Sequence, residues 1–194
     1  MSFTRATDRL FLAALPDAGQ AQDIAELAWH LRDVHRLEGR PLLPQHLHAT
    51  LWHVYDGLFA PPADLIEELV QRLSAIDMPC FRVSFDHAVS FGGGAFVLCG
   101  RDGVAGLEAL REQVRAALAV AHEDRAPSLT PPAFTPPPFT PHVTLLRDRR
   151  RVPVHELVAP IEWEVTEIVL VHSLLGKTMH HHIGRVPLKR RDGH

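Results

Sequence analysis

The chain is poor in cysteine, in long apolar runs and in net charge, and each shortage excludes a class of protein. Only Cys80 and Cys99 occur among the 194 residues, and neither belongs to a C-x-x-C pair. That pattern offers no zinc knuckle and no structural disulfide. The apolar stretch Leu10-Phe11-Leu12-Ala13-Ala14-Leu15 is too short to cross a bilayer, and it lacks the basic lead and cleavage site of a signal peptide. The expected location is therefore the cytoplasm, with no membrane partner. A formal charge of −3 argues against a surface that coats nucleic acid broadly. It leaves room for a local cationic pocket.

Apolar residues make up 46% of the chain, enough to bury a real core in one compact domain or in two small lobes that share one. Residues 9–15 read as a buried strand ended by Pro16. Asp17 can cap a helix whose apolar positions Ala21, Ile24, Ala28, Leu31 and Val34 recur at helical spacing, with Gly39 as its stop. Residues 47–55 read as a strand. Pro61, Pro62 and Asp64 open a second helix with Leu65, Ile66, Leu69, Val70 and Leu73 on one face. Residues 81–89 and 95–99 are strands about a Gly92-Gly93-Gly94 turn, which lacks the following Lys-Ser/Thr of a phosphate loop. Leu107, Leu110, Val114, Leu118 and Ala121 mark a third helix. Prolines at 127, 131, 132, 136, 137, 138 and 141 make residues 127–141 a loop. Strands follow at residues 142–146, 163–172 and 180–188, the last two joined by a turn near Gly176-Lys177. This mixed order favours an α+β fold over a doubly wound parallel sheet.

Fourteen histidines prove little by number, so their spacing has to carry the argument. Two stand in H-x-T-L, at His48-Ala49-Thr50-Leu51 and His142-Val143-Thr144-Leu145. From this composition the pattern is expected about 0.1 times per chain, so two copies on strand-like runs in opposite halves are a specific signal. In a strand, residues i and i+2 share a face. Each motif therefore presents an imidazole and a hydroxyl on one side and apolar anchors on the other. Such a set suits phosphoester chemistry. Imidazole ordinarily titrates near pH 6.5, so one ring can be neutral and take a proton from water while another, protonated, donates to the leaving oxygen. Threonine hydroxyls can donate to non-bridging phosphate oxygens. No metal or other cofactor is required.

These motifs and their surroundings resemble the two-histidine (2H) phosphoesterases, and within them the RNA 2',3'-cyclic phosphodiesterases also called 2'-5' RNA ligases. Arg9-Leu10-Phe11-Leu12-Ala13-Ala14-Leu15 resembles that family's opening strand, and Leu47-His48-Ala49-Thr50-Leu51 its first motif. Phe139-Thr140-Pro141-His142-Val143-Thr144-Leu145-Leu146-Arg147 resembles its second, and Ile168-Val169-Leu170-Val171-His172-Ser173-Leu174 its late strand. The resemblance implies one bilobal domain over residues 1–194, with two pseudo-symmetric lobes, antiparallel sheets lining a central cleft, and helices outside. It also implies metal-independent hydrolysis of a 2',3'-cyclic phosphate to a 2'-phosphomonoester, with 2'-5' ligation as the reverse reaction. His142 would then be the base that activates water and His48 the acid that protonates the 3'-oxygen, with Thr50 and Thr144 holding the phosphate. The implied partners are RNA with 2',3'-cyclic phosphate ends or small cyclic nucleotides, not DNA, and the protein is expected to be a monomer. Where the family often carries an aromatic residue, this chain has His180 in the run His180-His181-His182.

Arg40, Arg147, Phe139 and His180 are further candidates for substrate contact. Along an ideal strand Arg147 faces away from His142, so a structural ion pair is an equal expectation for it. Phe134 and Phe139 would stack on a base or anchor the proline-rich loop to the core. Arg149-Arg150-Arg151 reads as a solvated loop before it reads as an RNA contact. Two rival readings stand beside the phosphodiesterase. One is a non-catalytic RNA-end or nucleotide-binding module. The other is a metal hydrolase using the His46-x-His48 pair and the triple histidine, although no acidic or cysteine ligand falls at a recognisable spacing.

Overall fold

The computed structural model describes residues 6–119, 139–177 and 179–190. Its elements run β1 (Asp8–Ala14), α1 (Ala18–Val34), β2 (Ala49–Gly57), α2 (Ala63–Leu73), β3 (Phe81–Ser90), β4 (Ala95–Cys99), α3 (Ala105–Ala119), β5 (His142–Arg147), β6 (His155–Val165), β7 (Glu167–Leu174) and β8 (Met179–Pro187). The fold is α+β, as expected. Its strands form one eight-stranded sheet in the order β6-β3-β4-β5-β2-β1-β7-β8, every neighbouring pair antiparallel. Two pseudo-symmetric four-stranded halves meet at its centre, β6-β3-β4-β5 and β2-β1-β7-β8. They are joined by one residue pair, Ala49 with Val143. Those two residues are the middle positions of the two H-x-T motifs.

The halves of the sheet are not the halves of the chain. β1 and β2 are completed by the C-terminal β7 and β8, while β3 to β6 form the other half. The chain steps from one half to the other at Thr166, whose carbonyl accepts from the Leu188 N–H at 2.8 Å. Nearby, Pro79 bridges Lys189. Two helices cross the join: α1 packs on β5 and β6, and α3 packs on β2 and β3. One main core lies on the helix-bearing side and takes residues from both halves, including Leu10, Leu12, Val83, Phe85, Phe96, Leu98, Val143, Leu145, Ile168 and Leu170. Each such fully buried side chain contributes roughly 1.5–3 kcal/mol.

Local sequence accounts for most of these elements. The Asp17 carboxylate accepts from the Gln20 N–H at 2.9 Å and caps α1, and Ala21, Ile24, Ala28 and Leu31 form its buried stripe. The helix stops at Val34, five positions before Gly39, because Arg36 turns the chain with a left-handed φ of 52°. Gly39 has a different task. A Cβ there would run into the Arg147 carbonyl, so glycine permits the 35–40 loop to lie against the end of β5. The single strand expected over 163–172 is two, parted at Thr166, and β6 begins as far back as His155. β6 is hard to see in the sequence because it is an edge strand with an irregular pattern. Its pairing with β3 jumps from Glu156 to Ile161, and Pro160 falls in the unpaired excursion. Most of the proline-rich loop, with Phe134 and the Ala121 end of the third helix, lies outside the described residues.

Candidate active site

The register at the sheet's centre brings the motifs together. About the Ala49–Val143 pair, antiparallel order sets His48 beside Thr144 and Thr50 beside His142. Ala49, Leu51, Val143 and Leu145 are buried on the helix side. The alternation of the strand then turns both histidines and both threonines to the opposite face. There they line one cleft of about 600 Å³ with Arg9, Phe11, Arg40, Leu42, His46, His53, Arg147, Ser173, Leu175 and His180. Among the described residues, three arginines and five histidines line it, and no carboxylate does. The pocket is built to receive an anion.

The two rings are hung by the same device. His48 Nδ1 lies 2.7 Å from the His46 carbonyl, and His142 Nδ1 lies 2.7 Å from the Thr140 carbonyl. A carbonyl only accepts, so each Nδ1 carries the proton, and each Nε2 is free to take or give one. For His48 the carbonyl is supplied by a short 3₁₀ turn, Pro44–His46, and β2 begins at Ala49, two residues later than expected.

Their surroundings differ. His48 is packed against Phe11, with ring centroids 4.8 Å apart, and against His180 at 5.5 Å. His180 in turn sits 4.7 Å from His46. Burial lowers the His48 pKa to about 4, with the like charges of His142, His46 and His182 adding to the effect. Burial and the neighbouring His48 and His46 likewise lower His180 to about 4. His142 stands more open and meets the Phe91 ring at 5.0 Å.

The other sequence candidates divide. Arg40 and His180 line the cleft. Arg147 lines it too, against the ideal-strand expectation. β5 carries a bulge: Phe96 pairs with Leu146 but Val97 pairs with Thr144, so Leu145 is an extra residue. Leu145 and Leu146 are both buried, and the alternation resumes with Arg147 on the His142 side. Phe139 takes the second of its two expected roles, the anchor. It does not line the cleft but packs on the core beneath the Arg111 guanidinium, 4.2 Å from its ring centroid, and Arg111 also covers Trp52. It anchors the approach to β5 onto α3. Of the basic run, Arg150 donates to the His35 carbonyl. Among the described residues, no three His, Cys, Asp or Glu side chains are arranged to hold a metal ion. The His46 ring meets His180 instead.

Sequence reasoning missed Arg9, Phe11, His53 and Ser173 as cleft residues. The signal was present in β1: Arg9 and Phe11 share a face, and their partners across the sheet are Asp56 and His53 on one side, Ser173 and Val171 on the other. Arg9 is held by Asp56 in a two-pronged pair at 2.8 and 2.9 Å.

Comparison with known proteins agrees with this arrangement. The 2'-5' RNA ligase superfamily matches over residues 15–177. Escherichia coli LigT, solved with 3'-AMP, is 25% identical with a TM-score of 0.69, covering 94% of this chain and 98% of that one. The same protein solved with NADP+ gives 25% and 0.68, covering 96% and 99%. TT0787 of Thermus thermophilus shares the fold at 22% identity and a TM-score of 0.66, covering 93% and 97%. No curated protein matches in sequence.

Proposed function

Because the chain belongs to the 2'-5' RNA ligase superfamily, we propose that it is a metal-independent phosphodiesterase that opens 2',3'-cyclic phosphates at RNA ends or on nucleotides to give 2'-phosphomonoesters. The observation that carries this reading is the joining of the two H-x-T motifs at Ala49 and Val143, with all four functional side chains in one cleft. One imidazole takes a proton from water as the water oxygen bonds to phosphorus. The bond from phosphorus to the 3'-oxygen breaks, and the other imidazole gives that oxygen its proton. Thr50 and Thr144 donate to the non-bridging oxygens as charge builds on them. With a 5'-hydroxyl in place of water as the attacking group, the same steps in the same direction form a 2'-5' linkage and free the 3'-hydroxyl. The similarity to E. coli LigT, solved with 3'-AMP, supports a nucleotide-sized occupant.

The division of labour is read in the bound state, where the two environments meet the phosphate. Burial keeps His48 neutral in the free protein. An anionic phosphate bound beside the ring favours its protonated form, so the reading keeps His142 as the acceptor of the water proton and His48 as the donor to the 3'-oxygen. The same reading takes residues 1–194 as one bilobal domain, monomeric and cytoplasmic.

The test is product analysis after incubation with 2',3'-cyclic AMP and with a short RNA ending in a cyclic phosphate, in the presence of chelator. The expected product is the 2'-phosphomonoester in both cases. Ligand binding without product would leave a binding module, and activity that dies in chelator and returns with zinc would leave a metal hydrolase.

A further inference from the structure

The wall of the cleft holds two kinds of cation. Among the described residues, Arg40 and Arg147 pair with no carboxylate, so their charge is left for an anion. Arg9 is different. Its Nε and Nη2 each donate to one oxygen of Asp56, at 2.8 and 2.9 Å. His53, also in the wall, has its Nε2 3.4 Å from the same carboxylate. Burial lowers the His53 pKa against the pull of Asp56, so its ring is neutral at pH 7. Arg9, Asp56 and His53 together therefore carry no net charge. The wall shows the guanidinium and the imidazole but not the carboxylate.

β2 is shaped to put this group beside the first motif. Its pairing with β1 has two irregularities, which leave Leu51 and Val54 without partners. In a regular strand Thr50 and His53 would face opposite ways, and so would His53 and Asp56. With one extra residue in each interval, Thr50 and His53 both line the cleft, and Asp56 meets Arg9 and His53 on the same face. Leu51, Trp52, Val54 and Tyr55 pack toward the core instead. The result is a polar line, Thr50 to His53 to Asp56, that leads away from the motif. His53 lies three residues from Thr50, about 10 Å by strand rise. A purine carried on the reacting ribose covers such a span.

We propose that Arg9, fixed by Asp56, reads the base of the substrate, and that the base it fits is guanine. The inference rests on the phosphodiesterase reading and adds the base preference to it. A guanidinium has five N–H donors, and Asp56 takes two of them on one side. That leaves a parallel Nη1 and Nη2 pair at the end of the fork. Guanine presents two adjacent acceptors, O6 and N7, to such a pair. Adenine presents one acceptor beside a donor there, and pyrimidines lack the ring that carries N7. A phosphate is the poorer fit, because Asp56 already balances the charge of Arg9 and would lie next to any anion bound there. Asp56 is a positioning residue: it sets the plane of the fork and leaves the base to Arg9.

Affinity for product-like ligands tests this without relying on turnover. The 2'-monophosphates of guanosine, inosine, adenosine, cytidine and 7-deazaguanosine are titrated calorimetrically into the full chain. Guanosine and inosine, which share O6 and N7, should bind alike and about tenfold tighter than adenosine and cytidine, about 1.4 kcal/mol. 7-Deazaguanosine lacks the N7 acceptor and should lose most of that margin. Arg9→Lys keeps a cation for Asp56 but not the fork, and should bring the guanosine-to-adenosine ratio toward one. Asp56→Asn leaves Arg9 in place with a weaker hold, and should lower the ratio in part. The ratio does not depend on the fraction of a variant that is folded. Equal affinity for guanosine and adenosine, or for guanosine and cytidine, overturns the proposal, as does undiminished binding of 7-deazaguanosine. An unchanged ratio in Arg9→Lys removes Arg9 as the reader, and an unchanged ratio in Asp56→Asn removes Asp56 as its positioning residue. If the preference is present but no cyclic phosphate is hydrolysed, the phosphodiesterase reading fails and the base subsite stands.

Discussion

His48 and His142 are tethered identically and housed differently. Each ring points its Nδ1 at the carbonyl two residues back, at 2.7 Å, and each precedes a threonine on the same face. Around His48 the protein has packed Phe11 and His180, whereas among the described residues His142 meets the edge of Phe91 alone. The tether sets which nitrogen does the chemistry, and the housing sets how readily that nitrogen holds a proton. A symmetric fold is thus given an asymmetric site by side chains that lie outside both motifs.

The comparison is broken most severely by removing either ring. His48→Ala and His142→Ala are each expected to cut kcat by about 10²–10⁴-fold with the fold intact by circular dichroism. The double variant should be little worse than either single one, since the two rings act on one event. Thr50→Val and Thr144→Val keep the shape and lose a donor, and a loss in kcat of about 10²-fold is expected from each. A full rate in either threonine variant would remove that residue from the phosphate site.

Smaller effects sharpen the difference between the housings. Gly39→Ala, by forcing the 35–40 loop off the Arg147 carbonyl, should lower unfolding stability by about 2 kcal/mol in a urea titration. Acid should also destabilise the protein through His48. An unfolded histidine binds its proton near pH 6.5, while folded His48 does so only near 4. Between those values the unfolded chain holds more protons, so the contribution is complete above pH 6.5 and is lost as pH falls toward 4. About 3 kcal/mol is expected from His48; His180, lowered to about 4 in the same way, adds a like dependence, so His48→Asn should remove roughly half of the acid shift of the urea midpoint across that window. Smallest of all, Phe11→Ala opens His48 to water. It should move the acid limb of kcat/KM upward by about one pH unit, and an unmoved limb would show that Phe11 does not set the proton affinity of His48.

The sequence carried much of this site because H-x-T on a strand is a local pattern: alternation alone puts the imidazole and hydroxyl on one face. The helices were legible for the same reason, through Asp17 and the apolar spacing after it. What escaped was non-local. Arg147 turns inward because Leu145 is left over when β5 pairs with β4, which no inspection of β5 alone reveals. For Phe139 both stacking and anchoring were open from sequence, and the choice rests on Arg111, a partner on a different element. β6 was obscured by its unpaired excursion, and the single pair joining the two halves depends on the whole topology.

The most direct test is an NMR titration of the two imidazoles with ¹⁵N-labelled histidine, first in the free protein and then with adenosine 2'-monophosphate. His48 is expected to titrate near pH 4 in the free protein, as its burial dictates, and the Nε2 signals of both rings should move together as the ligand binds. A His48 ring that titrates at the ordinary histidine value of about 6.5 without ligand, or a ligand that perturbs only one of the two rings, would contradict the account.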